Sequence, residues 1–231
     1  MRTKLIIITL AIVLFSCKQR NGDTAVTNNI QLLIPDTTQN IRAKTDLDDL
    51  LYRSKLEKQI GLTDLRKGAD SLEVRLWYSF SFDNKRDLYI VRVYDTSYLL
   101  SYYRVYPRTI NFDDENRNRA WDPYTDPILD SVFSATVQLN KNAFAHLYCD
   151  SLWLLKSCSE LPIPDSVGFT DCSSYILEIA DARRFKYLRY HCPSGYYEKT
   201  RLKEIEDFDR SYYRIMQQAF EHHLNPFVSR E

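Results

Sequence analysis

Glycine is scarce in this chain, with 5 Gly among 231 residues. Loops that cradle phosphates need several closely spaced glycines, and no such cluster is present. The nucleophile elbow Gly-x-Ser-x-Gly and the zinc motif His-Glu-x-x-His are also missing. The sequence therefore contains no motif for nucleotide binding, for serine hydrolysis or for zinc proteolysis.

Histidine is nearly as rare, with 4 residues, and none has the spacing of a metal site. His222 and His223 are adjacent, so on a helix they point about 100° apart and do not share a face as an i, i+4 zinc pair does. The polar stretch 114–125 resembles half of a calcium loop, but Arg119 stands where Gly is needed and Thr125 where Glu is needed. The sequence predicts no metal site and no cofactor.

An excess of charge of one sign is lacking as well: 31 Lys and Arg balance 31 Asp and Glu, and no basic run is present. A nucleic-acid-binding protein would show a basic face, so the chain is predicted not to bind nucleic acid. What is abundant instead is aromatic residues, with 17 Tyr, 11 Phe and 3 Trp. That composition is typical of an ordered domain with a large core.

Apolar runs long enough to span a membrane are absent, and the longest run lies at the N-terminus. It covers eleven residues from Leu5 to Phe15, interrupted by Thr9 alone, and follows the cations Arg2 and Lys4. As a helix it would reach about 16 Å, against a hydrocarbon core of about 30 Å. This layout is typical of an export signal rather than of a transmembrane helix.

The run ends in Leu14-Phe15-Ser16-Cys17, which resembles the lipobox of bacterial lipoproteins, with Phe at the second position as in the variant common in Bacteroidota. The resemblance implies cleavage after a signal peptide of residues 1–16, thioether lipidation of Cys17 and acylation of the new amino terminus with palmitate or a similar chain. Two or more acyl chains anchor a protein stably. The expected location is the cell envelope, at the outer membrane facing the periplasm. The alternative is an ordinary secretory signal with an accidental cysteine nearby.

Behind the signal, residues 17–45 are mostly polar and are predicted to form a tether on the order of 30 Å long. Its one apolar patch, 30–34, could instead dock on the domain. Residues 46–231 are enough for a single domain. The order of elements in this domain resembles that of lipoproteins without an assigned activity, so this second resemblance implies no functional residue.

The domain is predicted to be α+β, with an antiparallel sheet of about six strands and helices packed on one side. Residues 71–82 alternate apolar and polar side chains, which is the period of a half-buried strand. Three further strands are predicted after it up to residue 140, and a hairpin over 172–192 completes the six. Helices are predicted over 46–60, directly after Asn140, and from 202 onward, where an apolar stripe runs for about six turns.

The aromatic residues of the first strands have two interpretations. The favoured one is that they fill the space between sheet and helices, and the other is that they stack on sugars or contact a protein partner. Trp77 is the exception, because it shares a strand face with polar residues such as Arg75. We expect Trp77 and Arg75 to form an exposed binding patch. The long polar loop 108–130 is a second candidate binding element.

Four cysteines remain when Cys17 is set aside, an even number suited to an oxidising compartment. A hairpin register in which residue numbers sum to 364 places Cys172 opposite Cys192, within disulfide reach. Cys149 and Cys158 are then predicted to pair. The alternatives are four free thiols, or a bond between Cys158 and Cys172.

For the function as a whole, we expect a non-enzymatic cell-envelope lipoprotein that is attached to the membrane by its lipid. It would bind a protein or glycan partner through an aromatic sheet face or through the 108–130 loop. The alternative is a periplasmic hydrolase with an acidic active site. A large pocket lined by two or more carboxylates would favour the hydrolase, and an aromatic patch would favour binding.

Overall fold

The computed structural model describes residues 31–33, 41–80, 83–108, 126–140, 142, 149–164 and 167–227. The expected signal peptide 1–16, Cys17 and most of the expected tether lie outside this part of the chain. So does most of the helix predicted directly after Asn140. None of the helices that are described has the length and apolarity needed to cross a membrane.

In the residues that the structure describes, the domain combines one sheet with four α-helices and two short 3₁₀ helices. The strands are β1 Gln31–Leu33, β2 Glu73–Phe80, β3 Arg86–Val93, β4 Ser97–Pro107, β5 Leu129–Asn140, β6 Ser173–Ala180 and β7 Arg184–His191. The helices are α1 Ile41–Gln59, α2 Cys149–Leu154, α3 Pro193–Thr200 and α4 Lys203–Glu221. The strand order is β1-β7-β6-β2-β3-β4-β5. β2 to β7 pair antiparallel throughout, which confirms a single α+β domain with six antiparallel strands.

β1 adds a seventh strand at one edge of the sheet. It pairs with β7 in parallel, with Gln31 opposite Arg184 and Leu33 opposite Lys186. The apolar patch expected at 30–34 therefore docks on the domain at these positions, which was the alternative to a free tether. α1 begins at Ile41, five residues before the predicted start.

The two faces of the sheet are covered by different helices. Val74 and Leu76 of β2 lie in the core formed with α4, whereas Trp77 packs with Leu50 and Leu56 of α1 on the other face. The predicted alternation along β2 is therefore right. The expectation that the helices pack on one side is wrong, because α1 covers the second face.

Among the side chains that the structure describes, α4 supplies more buried apolar residues than any other helix. Its buried residues recur at spacings of three and four, so they form one stripe along the helix. They are Ile205, Phe208, Tyr212, Ile215 and Ala219. Phe208 stacks on Tyr190 of β7 with ring centroids 3.9 Å apart. The predicted apolar stripe of the closing helix is thus the face that docks on the sheet.

The β6–β7 hairpin has a register one residue away from the predicted one. Leu177 lies opposite Leu188, so the pair numbers sum to 365 rather than 364. The backbone N–H of Asp181 donates to the carbonyl of Arg184 at 3.0 Å, which leaves two residues in the turn instead of three. The Asp181 carboxylate accepts hydrogen bonds from the backbone N–H groups of Arg183 and Arg184, both at 2.8 Å. These bonds favour the shorter turn.

The predicted disulfide between Cys172 and Cys192 is present, with Cα atoms 5.4 Å apart. The two cysteines lie just beyond the ladder, where the backbone N–H of Cys192 donates to the Ser173 carbonyl. Closing a loop of this size stabilises a fold by about 3 kcal/mol in the chain-entropy model. The side chain of Cys149 lies outside the described part of the chain, so its pairing with Cys158 stays a prediction.

Replacing Ile215 by Ala tests how firmly α4 is docked. Ile215 is fully buried mid-stripe, so the loss of its side chain should lower the free energy of unfolding by about 2 to 5 kcal/mol. Urea denaturation measures this change. Gln217→Ala, on the exposed side of the same helix, is the matched control and should shift stability far less. Equal stabilities for the two variants would mean that α4 is not docked.

Candidate functional site

The binding patch expected at Trp77 and Arg75 is not exposed. Trp77 is 2% exposed and Arg75 is 0% exposed, because α1 lies over this face of β2. Neither side chain is therefore available to a partner. The first candidate site from the sequence is a buried polar layer between the sheet and α1.

Arg75 is at the centre of this layer. Its Nη1 donates to Glu57 Oε2 of α1 at 2.5 Å, and its Nε donates to Glu73 Oε1 at 2.7 Å. Its Nη2 donates to the Thr63 carbonyl at 2.9 Å. Trp77 Nε1 donates to the second oxygen of Glu57 at 3.0 Å. Burial acts to lower the pKa of Arg75, but the charges of Glu57 and Glu73 outweigh it and the net pKa is raised.

A second carboxyl, Glu178 of β6, lies beside Glu57 in the same layer. Burial, followed by the negative charge of Glu57, raises the pKa of Glu178 well above its ordinary value of 4.5, although Arg75 and Arg53 act in the opposite direction. The Glu178 and Glu57 side chains also share a hydrogen bond. Arg53 in turn donates to the Tyr187 hydroxyl at 2.6 Å.

Two neighbouring carboxyls, one with a raised pKa, are the electrostatic pattern of an acid–base pair. Here both side chains are buried, as is Glu73, and α1 closes the layer over them. A general acid or base must come within hydrogen-bond reach of its substrate, which this burial prevents. The hydrogen bonds and ion pairs of this layer therefore hold α1 against the sheet.

A cavity of about 640 Å³ lies on the outer surface of α1 and is lined by charged and apolar residues together. Its two carboxylates are Asp48 and Asp64. Arg66 donates two side-chain hydrogen bonds and one backbone hydrogen bond to Asp64, at 2.7 to 3.0 Å. Partial burial acts to raise the pKa of Asp64, but these hydrogen bonds outweigh it and lower the pKa. An ion-paired carboxylate of this kind is unsuited to act as a general acid.

An apolar cleft of about 390 Å³ lies on the opposite face, between α4 and the turn that follows it. Tyr89 of β3 is buried at its base, and one side of α4 forms a wall. Two aromatic side chains of that wall reach solvent, Tyr213 at 58% and Phe220 at 39% exposure. The full lining is Tyr89, Tyr213, Met216, Gln217, Phe220 and Asn225.

The second wall of the cleft is held in place by the C-terminal turn. Asn225 Nδ2 donates to the Tyr89 hydroxyl at 3.4 Å, and its side-chain oxygen accepts from the Phe227 N–H at 3.1 Å. The Phe227 ring lies under the Arg104 guanidinium at 4.2 Å and against the Phe133 ring of β5 at 5.5 Å. Both walls of the cleft are therefore preformed.

The remaining sequence candidates are placed only in part. Residues 109–125 of the 108–130 loop lie outside the described part of the chain. The stem that follows is bound to α1, where Gln59 donates to the Pro127 carbonyl at 2.6 Å and accepts from the Leu129 N–H at 2.7 Å. Among the residues that are described, no group of three His, Cys, Asp or Glu side chains is placed to hold a metal ion.

Sequence reasoning missed the cleft, although a signal for it is present. Tyr213, Met216 and Phe220 recur at spacings of three and four, which marks a second apolar row on α4 beside the docked stripe. A helix that is docked by a single stripe needs no second row. Such a row therefore points to a further contact.

Comparison with protein-family models, with curated proteins and with solved structures finds no match for this chain. The assignment of function therefore depends on the residues and geometry described above.

Replacing Glu178 by Gln tests the buried carboxyl pair. The pKa of Glu178 is higher in the folded protein than in the unfolded chain, so protonation of Glu178 stabilises the fold. This stabilisation is fully present below about pH 4.5 and is lost as the pH rises through the folded pKa. Gln resembles the protonated form at every pH. The free energy of unfolding of Glu178→Gln, relative to the parent, should therefore increase from pH 5 to pH 8 in denaturant titrations.

The control for this experiment is Glu198→Gln, at an exposed position of α3. Its difference from the parent should stay flat over the same pH range. A flat or falling difference for Glu178→Gln would contradict the raised pKa.

Proposed function

We propose that this chain is a lipid-anchored, non-enzymatic protein of the bacterial cell envelope that binds a protein partner through the cleft beside α4. The observation that carries the binding role is the cleft itself. It is a preformed apolar depression whose rim holds two solvent-exposed aromatic side chains, Tyr213 and Phe220.

The chemistry of the cleft favours an apolar anchor residue of a protein. Central pockets that receive one aromatic or aliphatic side chain supply most of the binding energy in many protein interfaces. Exposed aromatic rings are also enriched at such interfaces. The cleft is large enough for one bulky side chain with its neighbours, and its walls are already ordered, so little entropy is lost on binding.

A glycan is the less suitable occupant. Sugars need several hydrogen-bonding groups around a stacking ring. Of the amide side chains in the lining, Asn225 bonds to Tyr89 and Phe227, and Gln217 donates to Glu221 at 2.7 Å. These groups are already engaged within the protein.

A hydrolase with an acidic site receives less support than binding. Glu57 and Glu178 lie together but beneath α1, and the cavity outside α1 holds Asp64 in an ion pair with Arg66. The carboxylates that are close together are thus closed off, and one of the two in the open cavity is already paired.

The anchoring role is supported by the lipobox-like ending at Cys17 and by the position of β1. Because β1 occupies residues 31–33, about thirteen residues separate it from Cys17, a length that spans at most about 45 Å even when fully extended. The domain would therefore be held close to the membrane surface, near the partners that share it.

Cys17→Ala tests the anchor. Without the thiol there is no site for the thioether, so incorporation of labelled palmitate should fall to background, whether or not residues 1–16 are cleaved. Cys158→Ala is the matched control and should keep its label. Palmitate incorporation that persists in Cys17→Ala would exclude the anchor at this residue.

Photo-crosslinking from the cleft tests the binding role. The full chain is expressed in bacterial cells with a benzophenone amino acid in place of Phe220. On illumination, this probe should give one discrete protein adduct in the cell envelope. Gln217→Arg places a bulky charge at an exposed position of the cleft wall and should reduce that adduct at least tenfold. The same probe at Leu154, which is highly exposed on α2, serves as the control.

The outcomes separate the alternatives. An adduct of equal yield at position 154, or one indifferent to Gln217→Arg, would contradict a role for the cleft. An adduct that resists proteases but not glycosidases would point to a glycan instead of a protein.

A further inference from the structure

β5 is the last strand of the sheet at the edge away from β1. It is twelve residues long, and β4 is its partner along the whole length. In the part of the chain that the structure describes, no strand pairs with its outer side. The outer side therefore offers a long row of backbone donors and acceptors to another strand.

Edge strands of monomeric proteins are usually protected by charged residues, by proline or by bulges. The ten residues from Ser131 to Asn140 contain no charge and no proline. The one irregularity of β5 against β4 lies opposite Tyr106 and Pro107, at its beginning. The rest of the edge carries none of these protective features, which favours a strand that is paired in the working protein.

We infer that β5 pairs antiparallel with β5 of a second copy of this chain, about a two-fold axis at Ala135. In this register residue numbers sum to 270, so Phe133 lies opposite Val137 and Ser134 opposite Thr136 of the other copy. The inference does not depend on the proposed anchor or on the cleft.

The pattern of side chains along β5 is what selects a second copy as the occupant. Antiparallel self-pairing requires opposed residues to have the same parity, because they must share both a sheet face and a hydrogen-bonding direction. The odd-numbered residues Phe133, Ala135 and Val137 are half-buried beside the main core, and the even-numbered ones are exposed. A register about Ala135 therefore joins the two half-buried apolar rows across the interface.

This register is also balanced in size and charge. The bulky Phe133 meets the smaller Val137, the small Ala135 meets itself at the axis, and no charged side chains oppose each other between Ser131 and Leu139. Apolar cross-strand pairs of this kind each stabilise a sheet by about 0.2 to 1 kcal/mol. A closed two-fold contact also leaves no free copy of the β5 edge, so it does not propagate.

Cysteine cross-linking tests the axis in the full chain. Ala135→Cys places two thiols directly opposite each other, and mild oxidation should give a reducible species of twice the monomer mass on a gel. Val132→Cys is the matched control at an exposed position of the same strand. Its two copies would lie six residues apart along the pair, about 20 Å, and should not cross-link.

Paired charge variants test the register. Ser134→Lys with Thr136→Lys opposes Lys to Lys twice across the axis, so the Ala135→Cys dimer should fall at least tenfold. Ser134→Lys with Thr136→Glu opposes Lys to Glu and should keep the dimer. Both changes are at exposed positions, and the sedimentation of the same proteins without the added cysteine should follow the same order.

Three results of the dimer experiments would overturn the inference. They are a parent protein that sediments as a monomer, a dimer from Val132→Cys equal to that from Ala135→Cys, and a dimer indifferent to the two lysines. An Ala135→Cys adduct with a different protein would likewise exclude the second copy as the occupant.

Discussion

Arg75 lies wholly buried between the sheet and α1. Burying an ionised guanidinium is unfavourable by on the order of several kcal/mol unless acceptors bind its N–H groups and an opposite charge lies beside it. Glu73 of the same strand and Glu57 of α1 both form ion pairs with Arg75. Because Glu57 belongs to the helix, the interaction that satisfies the charge also fixes α1 on the sheet. The position of α1 in turn closes the face that carries Trp77, and so decides which surfaces of the domain remain open.

The sheet is wider than the helices that cover it, and this difference explains which surfaces stay open. Seven strands at about 4.8 Å make a sheet roughly 30 Å wide, whereas a helix is about 10 Å across. α4 packs against β6 and β7 through Tyr175 and Tyr190, and the short turn ending at Phe227 reaches Phe133 of β5. The apolar side chains of β5 are therefore only half covered. The cleft and the free edge both lie where the helical layer becomes thin.

Local patterns in the sequence predicted most of the elements, because period 2 and period 3.6 depend on neighbouring residues alone. They did not reveal that the polar face of β2 is covered. Alternation tells which side chains share a face, but the burial of Arg75 depends on Glu57, a contact that no periodicity encodes. The predicted register of the β6–β7 hairpin was wrong for a similar reason. The hydrogen bonds accepted by the Asp181 carboxylate decide whether the turn of this hairpin has two residues or three. The second apolar row of α4 is visible in the sequence, but the sequence does not tell which of the two rows packs on the sheet and which lines a cleft.

That docking is also what makes the cleft suitable for binding. Tyr213 and Met216 are neighbours along α4 of the buried Tyr212 and Ile215, so the core that fixes one row fixes the other. The opposite wall is fixed by Asn225 on Tyr89 and by Phe227 beneath Arg104. Because Phe227 also contacts Phe133 on β5, the cleft and the strand edge share one aromatic contact. In the inferred pairing, Val137 of the second copy would lie opposite Phe133, the residue whose ring contacts Phe227 beside the cleft.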